Sequence, residues 1–228
     1  ILDADTEIIG DVPSPAPLAE NGTNFLADLS DGQKTGWFYD HRENRARVAG
    51  LASGRRVADV YSYLGGFGIQ AAAAGATDVL CIDRSQPALD LATRTAAEAG
   101  LGDICRFERA EAFAALEELS TAKEKFGVVV VDPPAFVKSK KDLKPGARGY
   151  RKLARLSTKI VERGGILCTA SCSHHMDMAL FIEQISRGIH DAGRSARILH
   201  VGGTGPDHPV HPNLPESAYL KCLFLQVD

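Results

Sequence analysis

The sequence has no apolar run of the roughly 18 residues that a membrane-crossing helix needs, and it does not open on a signal-peptide pattern. Neither sign of charge dominates: 26 basic residues against 29 acidic ones leave a net charge of −3. That balance gives no support to nucleic-acid binding by the chain as a whole, so any such contact must rest on a local patch. Cysteine is sparse and odd in number, at Cys81, Cys105, Cys168, Cys172 and Cys222. None stands at the paired short spacing of a zinc site, and a reduced, cytosolic (cytoplasmic) chain is the simplest expectation. A G-x-G-x-x-G dinucleotide fingerprint is also missing, which leaves a pyrophosphate cradle without support.

What is present points to one globular domain, with at most a small appendage. The chain has 228 residues, 44% of them hydrophobic and 24% charged. Such a composition excludes disordered and collagen-like chains, and the length allows a sizeable core. The first residue is not Met, as expected of a processed, trimmed or fragmentary chain. Residues 1–24 hold five acids, no Lys or Arg, and the alternating prolines Pro13, Pro15 and Pro17. They read as an extended arm with one strand at 7–9.

Beyond Asn24 two periodicities alternate. Strands are expected at 25–29, 35–38, 56–60, 79–82, 104–109, 127–131, 166–170, 196–201 and 219–227. Helices are expected from Asp40, as a cap, to about residue 53, and then at 66–74, 85–99, 112–119, 149–162 and 178–192. Ser85 caps its helix with Pro87 in the first turn, and Gly100 and Gly164 act as stops. Strands separated by helices predict an α/β fold, a parallel sheet with helices on both faces. The last two strands lack a helix between them, so the final one is expected to insert antiparallel.

In such sheets ligands bind beyond the carboxyl ends of the strands, where the strand order switches. The first strand of the α/β run is followed by Tyr63-Leu64-Gly65-Gly66-Phe67-Gly68. Glycines there let a backbone approach a ligand closely, although tight connections use them too. Asp83 ends the next strand, where a carboxylate can take the ribose hydroxyls of an adenosine cofactor, or merely cap a helix. Together these favour S-adenosylmethionine over a nicotinamide, since the former carries no phosphate. The fourth strand of the run ends in Asp132-Pro133-Pro134-Ala135-Phe136, a rigid turn that holds Asp132 at the sheet edge and leaves Phe136 to stack on a flat ring. The fifth ends in Ser171-Cys172-Ser173-His174-His175, and a thiol at a strand exit near histidines is a candidate nucleophile rather than a packing cysteine. No metal is expected, because adjacent His174 and His175 diverge and no third ligand is suitably spaced. Residues 138–155 carry Lys138, Lys140, Lys141, Lys144, Arg148, Arg151, Lys152 and Arg155 against Asp142 alone, a net +7 in 18 residues. This run leaves the Pro-Pro turn directly, and with Tyr150 interleaved it suits nucleic-acid phosphates beside a reacting base.

With these residues assembled, the chain resembles the bacterial S-adenosylmethionine-dependent methyltransferases of large-subunit (23S) ribosomal RNA, the type that makes 5-methylcytosine. The resemblance covers roughly residues 20–228. It rests on Asp31-Gly32-Gln33-Lys34-Thr35-Gly36, Asp40-His41-Arg42-Glu43-Asn44-Arg45, the 63–68 turn, residues 132–136, Ser171-Cys172-Ser173-His174, Pro206-Asp207-His208-Pro209, Glu216 and Tyr219-Leu220-Lys221. It implies a seven-stranded Rossmann-like methyltransferase sheet over 39–228, with 1–38 as an N-terminal arm and short strands. The family's small N-terminal RNA-binding PUA domain is not in the sequence.

For the cofactor the resemblance implies Lys34 and Arg42 near the methionine part, with Arg42 a partner for its carboxylate. It implies Tyr63, Gly65, Gly66 and Gly68 along the cofactor's backbone, Asp83 at the ribose, and Glu111, Phe113 and Asp132 completing the site. Glu111 stands where the family usually has Asp, and His41 where Gln is more usual. In catalysis Cys172 would attack carbon 6 of the cytosine and Asp132 would hold its nitrogen 3. Phe136, Lys138, Lys140, Lys141, Arg148 and Arg151 would contact ribosomal RNA. A homodimer is one option for the assembly, and no membrane partner is expected. The alternatives are a methyltransferase of this fold acting on a guanine nitrogen, a non-catalytic RNA-binding module, and a nicotinamide dehydrogenase.

Overall fold

The computed structural model describes residues 10, 11, 13–29 and 36–228. The strand expected at 7–9 therefore lies outside the described residues, as do Lys34 and most of the 31–36 motif. The main sheet has seven strands. They are β3 (Arg56–Val60), β4 (Asp78–Asp83), β5 (Cys105–Arg109), β6 (Phe126–Val131), β7 (Val161–Ser171), β8 (Ala196–Gly202) and β9 (Lys221–Val227). Their order is β5-β4-β3-β6-β7-β9-β8. β3 through β7 are parallel, while β9 runs antiparallel between β7 and β8. The expected inserted last strand is thus observed.

Side-chain alternation divides the core into two layers. Val57, Val79, Val128 and Val130 face one side, with Phe67, Ile69, Ala88 and Ala92. Those partners sit on α2 (Gly66–Ala73) and α3 (Gln86–Glu98), and α1 (Arg42–Ala52) joins them through Val48. Ala58, Val60, Val129 and Val131 face the other side, with Leu116, Leu153 and Phe181. These come from α4 (Ala112–Thr121), α5 (Leu143–Ile160) and α6 (Met178–Asp191). β6 is buried along its whole length, which is why it reads as a run of valines rather than an alternation. Caps set the helix starts. Ser85, Glu111 and Asp177 each accept a first-turn N–H, from Ala88, Ala114 and Leu180. Among the described residues no helix is long and apolar enough to cross a membrane.

Several expectations need correction. Residues 16–27 are no simple arm: β1 (Ala16–Glu20) and β2 (Thr23–Ala27) pair as an antiparallel hairpin. Asn21-Gly22 makes its two-residue turn with positive φ at both positions, a combination that suits Asn-Gly. Pro17 is tolerated because a two-stranded sheet leaves each strand an unpaired edge. Residues 36–38 are not strand but lead into a 3-10 turn at Tyr39–His41. Asp40 does not cap α1; its carboxylate accepts the hydroxyl of Tyr219 at 2.6 Å instead. α5 begins at Leu143, not 149, because Pro145 falls in the first turn, where its missing N–H costs nothing. Gly164 does not stop that helix. Ile160 ends it, and Val161 already pairs with Phe126 before a register shift brings Ile166 opposite Val128.

Candidate active site

The strand order reverses between β3 and β6. From β3 the chain proceeds through β4 and β5 on one side, and through β6 and β7 on the other. A crevice must open there at the carboxyl ends. It holds a cleft of about 1110 Å³, lined by residues from every one of those strand exits.

The turn after β3 is wound tightly. Tyr61, Tyr63 and Gly65 all have positive φ. Asp83 at the end of β4 holds it in place: one carboxylate oxygen accepts the Tyr63 N–H at 2.9 Å, the other the Ser85 N–H at 2.9 Å. Each oxygen keeps a further lone pair for a ligand hydroxyl. Gly66 opens α2 and faces Trp37 and Arg45; a Cβ there would meet Arg45 Cδ at 3.0 Å and Trp37 Cη2 at 3.1 Å. Ser62, also in the cleft wall, has a buried hydroxyl that no described residue hydrogen-bonds. Beneath the turn lies Asp59, 0% exposed, whose Oδ2 accepts the Gly68 N–H at 2.9 Å. Burial pushes its carboxyl up to about 7, aided by the negative charges of Asp132 and Asp83 and opposed by the Gly68 bond and Arg45.

On the other side of the switch, Asp132 leaves β6 and Cys172 leaves β7, and both line the cleft. Cys172 is half-buried between Ser171 and Ser173, which are fully buried. Ser171 donates to the Tyr150 hydroxyl at 2.8 Å, and Tyr150 shares a hydrogen bond of 2.9 Å with Ser173. Lys221, also buried, donates to the carbonyls of Ser173 at 3.0 Å and Tyr219 at 2.7 Å. His41 Nε2 stands 3.1 Å from Asp132 Oδ2.

The model of the S-adenosylmethionine-dependent methyltransferase family matches residues 4–226. The chain belongs to this family. S-adenosylmethionine is its cofactor, and the site fits it: Gly66 leaves the cradle a side chain would fill, Ser62 offers a hydroxyl that no described residue engages, and Asp83 has lone pairs to spare. The chain is 41% identical over 222 residues to a protein of Aeromonas salmonicida (strain A449) named ribosomal RNA large subunit methyltransferase I. It is 36% identical over 228 residues to one of the same name from Serratia proteamaculans (strain 568). These alignments take in 96% and 98% of the chain but only 56% and 57% of the relatives. The chain therefore spans little more than half their length. A solved S-adenosylmethionine-dependent methyltransferase from Streptococcus mutans shares the fold with a TM-score of 0.84 at 23% identity, covering 95% of this chain and 56% of that one. A methyltransferase structure solved with SAH gives a TM-score of 0.85.

In the methyltransferase, eight of the residues singled out from sequence line one cleft: Tyr63, Gly66, Asp83, Glu111, Phe113, Asp132, Phe136 and Cys172. Gly65 and Gly68 do not. Gly65 supplies the positive φ, while a Cβ on Gly68 would meet Cys81 Sγ at 2.5 Å, so that glycine serves packing against the sheet. Arg42 is also absent from the wall; its guanidinium pairs with Asp207 at 3.0 Å and stands more than a third exposed. The residues missed were His41 and Arg45. Helical spacing would have found them: His41, Asn44, Arg45 and Val48 lie on one buried face, and Arg42 is turned off it. Arg45 stacks over Trp37 at 4.6 Å and is held by buried Glu20, which also takes Trp37 Nε1 and Gln70.

Of the basic run, Lys138, Lys140, Lys141 and Arg148 are exposed. Arg151 is committed to Asp191 by two hydrogen bonds of 2.6 and 2.8 Å. Tyr150 cannot stack on RNA: it is 0% exposed and serves the tip of β7, and burial raises its hydroxyl's pKa. His174 lines the cleft, with its ring 5.7 Å from that of Tyr219.

Proposed function

We propose that this methyltransferase acts on carbon 5 of a cytosine in large-subunit ribosomal RNA, through a covalent adduct on Cys172. The observation that carries the reading is the shared cleft: a thiol from β7 and a carboxyl from β6 line the same cavity as the Gly66 turn and Asp83. The names of the relatives support the RNA substrate. A guanine-nitrogen methyltransferase would need no thiol there.

Carbon 5 of cytosine is a poor nucleophile, because the ring is electron-deficient. The Cys172 thiolate bonds to carbon 6, and the displaced π electrons make an enamine in which carbon 5 is nucleophilic. Asp132 holds the ring edge at nitrogen 3. S-adenosylmethionine supplies a methyl group on a sulfonium. When bound, the cofactor would pass that methyl to carbon 5, the electron pair of the broken bond staying on its sulfur. Loss of the carbon 5 proton and expulsion of the Cys172 thiolate restore the aromatic ring. Ala135, which follows the two prolines, has no side chain that could accept a proton, so another base or a water takes it. Phe136 lies against Tyr150 and Phe113, and its place in the wall suits a base turned out of its stack. The exposed cations Lys138, Lys140, Lys141 and Arg148 would hold phosphates, which makes RNA binding weaken steeply with salt.

Mass mapping of large-subunit RNA incubated with the protein and S-adenosylmethionine tests this. The expected product is 5-methylcytosine, lost in Cys172→Ala while calorimetry still shows cofactor binding. A 5-fluorocytidine substrate should leave a stable adduct, since fluorine cannot depart as the proton does. Methyl on a guanine nitrogen, or full activity in Cys172→Ala, ends the reading.

A further inference from the structure

One polar chain behind the cleft has no place in the chemistry above. It runs from the main chain of Gly203 through Asn44 and His41 to Asp132. The Asn44 Nδ2 lies 3.0 Å from the Gly203 carbonyl oxygen and 3.2 Å from His41 Nδ1. A carbonyl can only accept, so the amide nitrogen, not the amide oxygen, must face it. One of the two amide hydrogens goes to Gly203 and the other points at His41. His41 Nδ1 therefore accepts, and the imidazole proton sits on Nε2. From there it is directed at Asp132 Oδ2, 3.1 Å away. The ring has little freedom to turn over, since it is 3% exposed and packed edge-on to Phe67 with centroids 5.4 Å apart.

We infer that His41 is a positioning residue that decides which oxygen of Asp132 faces the base as a proton carrier. Oδ2 is occupied as an acceptor of the His41 N–H. A proton on Asp132 then belongs on Oδ1, which no hydrogen bond from a described residue reaches and whose residue lines the cleft. This rests on the reading of Asp132 as the group at nitrogen 3: the ring accumulates electron density there once Cys172 has added, and a proton that Asp132 carries to the base would sit on Oδ1, aimed at nitrogen 3 without rotation of the carboxyl. A glutamine at 41 could do the same with its amide N–H, whereas an aliphatic side chain could not.

Two measurements test it. Long-range proton–nitrogen NMR of the His41 ring, on the cofactor-free protein without RNA, should show the proton on Nε2 and none on Nδ1. A proton on Nδ1 overturns the inference whatever the substrate is. Turnover supplies the second: His41→Gln should stay within about threefold of the parent. His41→Leu should lose about tenfold or more in kcat, with the KM for S-adenosylmethionine little changed. Parent-like kcat in His41→Leu, or an equal fall in both variants, also overturns it. Failure of the cytosine reading would appear separately, in the mass mapping, with the NMR result untouched.

Discussion

Ser173 Oγ accepts the backbone N–H of Val137 at 3.1 Å, and that bond joins the two chain segments that carry the reacting groups. Ser173 follows Cys172 at the exit of β7, and Val137 follows the Pro-Pro turn after Asp132. The bond is buried and is backed by the Tyr150 hydroxyl. Gly146 of α5 lets the helix close over the same segment: a Cβ there would meet the Phe136 carbonyl oxygen at 2.6 Å. Cys172 and Asp132 are thus held in register by one hydroxyl rather than by the sheet alone.

Ser173→Ala should therefore act on both stability and rate. It leaves the Val137 N–H buried without an acceptor, which costs about 1–3 kcal/mol. Urea unfolding should show the lower midpoint. Turnover should fall further than cofactor affinity, since the cofactor's side of the cleft is built on β3 and β4. Parent-like values of both would show the bond to be idle.

Lys221 bears on the thiol. Burial lowers its pKa, while negative charge at Cys172 and Asp177 pulls it back up. By the same coupling its ammonium favours the thiolate of Cys172. Lys221→Met keeps the stem and removes the charge, so the rate of Cys172 alkylation should need a higher pH to reach its plateau. Iodoacetamide can report this, because Cys81, Cys105, Cys168 and Cys222 are buried. An unmoved profile would separate Lys221 from the thiol's ionisation.

Much of this arrangement was legible in the sequence. The buried valines of β6, the Ser85 cap with Pro87, and the missing helix before β9 are local signals, and local signals carried the topology. The exits of the strands then named the cleft, since topology alone brings Cys172 and Asp132 together. What escaped was sidedness. Arg42 and Arg45 belong to the same motif, but only the second lies on the buried face of α1. The His41–Asp132 pair escaped for another reason: it joins the start of α1 to the end of β6, a contact set by tertiary packing. Gly164 misled because it looks like a helix stop, although it sits within a strand bulge.

Arg42→Ala should leave S-adenosylmethionine affinity unchanged in calorimetry. Asp207 raises the Arg42 pKa through its hydrogen bond and charge, and that pairing holds the guanidinium away from the cleft wall. The group that does reach the wall is Arg45. Weakened binding in Arg42→Ala would return Arg42 to the cofactor's carboxylate, as the family resemblance implied.

Asp59 gives the protein a stability term with an unusual pH sign. Its carboxyl titrates near 7 when folded, against an ordinary value of 3.8, because burial disfavours the anion. Between those two values the folded state keeps a proton that the unfolded state has lost. Stability from this group therefore falls as pH rises from about 4 to about 7, and the full penalty is present above 7. A gap of this size corresponds to a few kcal/mol at most, at roughly 1.4 kcal/mol per pH unit. Asp59→Asn keeps an oxygen for the Gly68 N–H and has no charge to bury. The variant should be more stable than the parent at pH 8 and nearly equal to it at pH 4. Thermal unfolding across that range measures the difference, and a parallel pair of curves would show that Asp59 does not titrate between them.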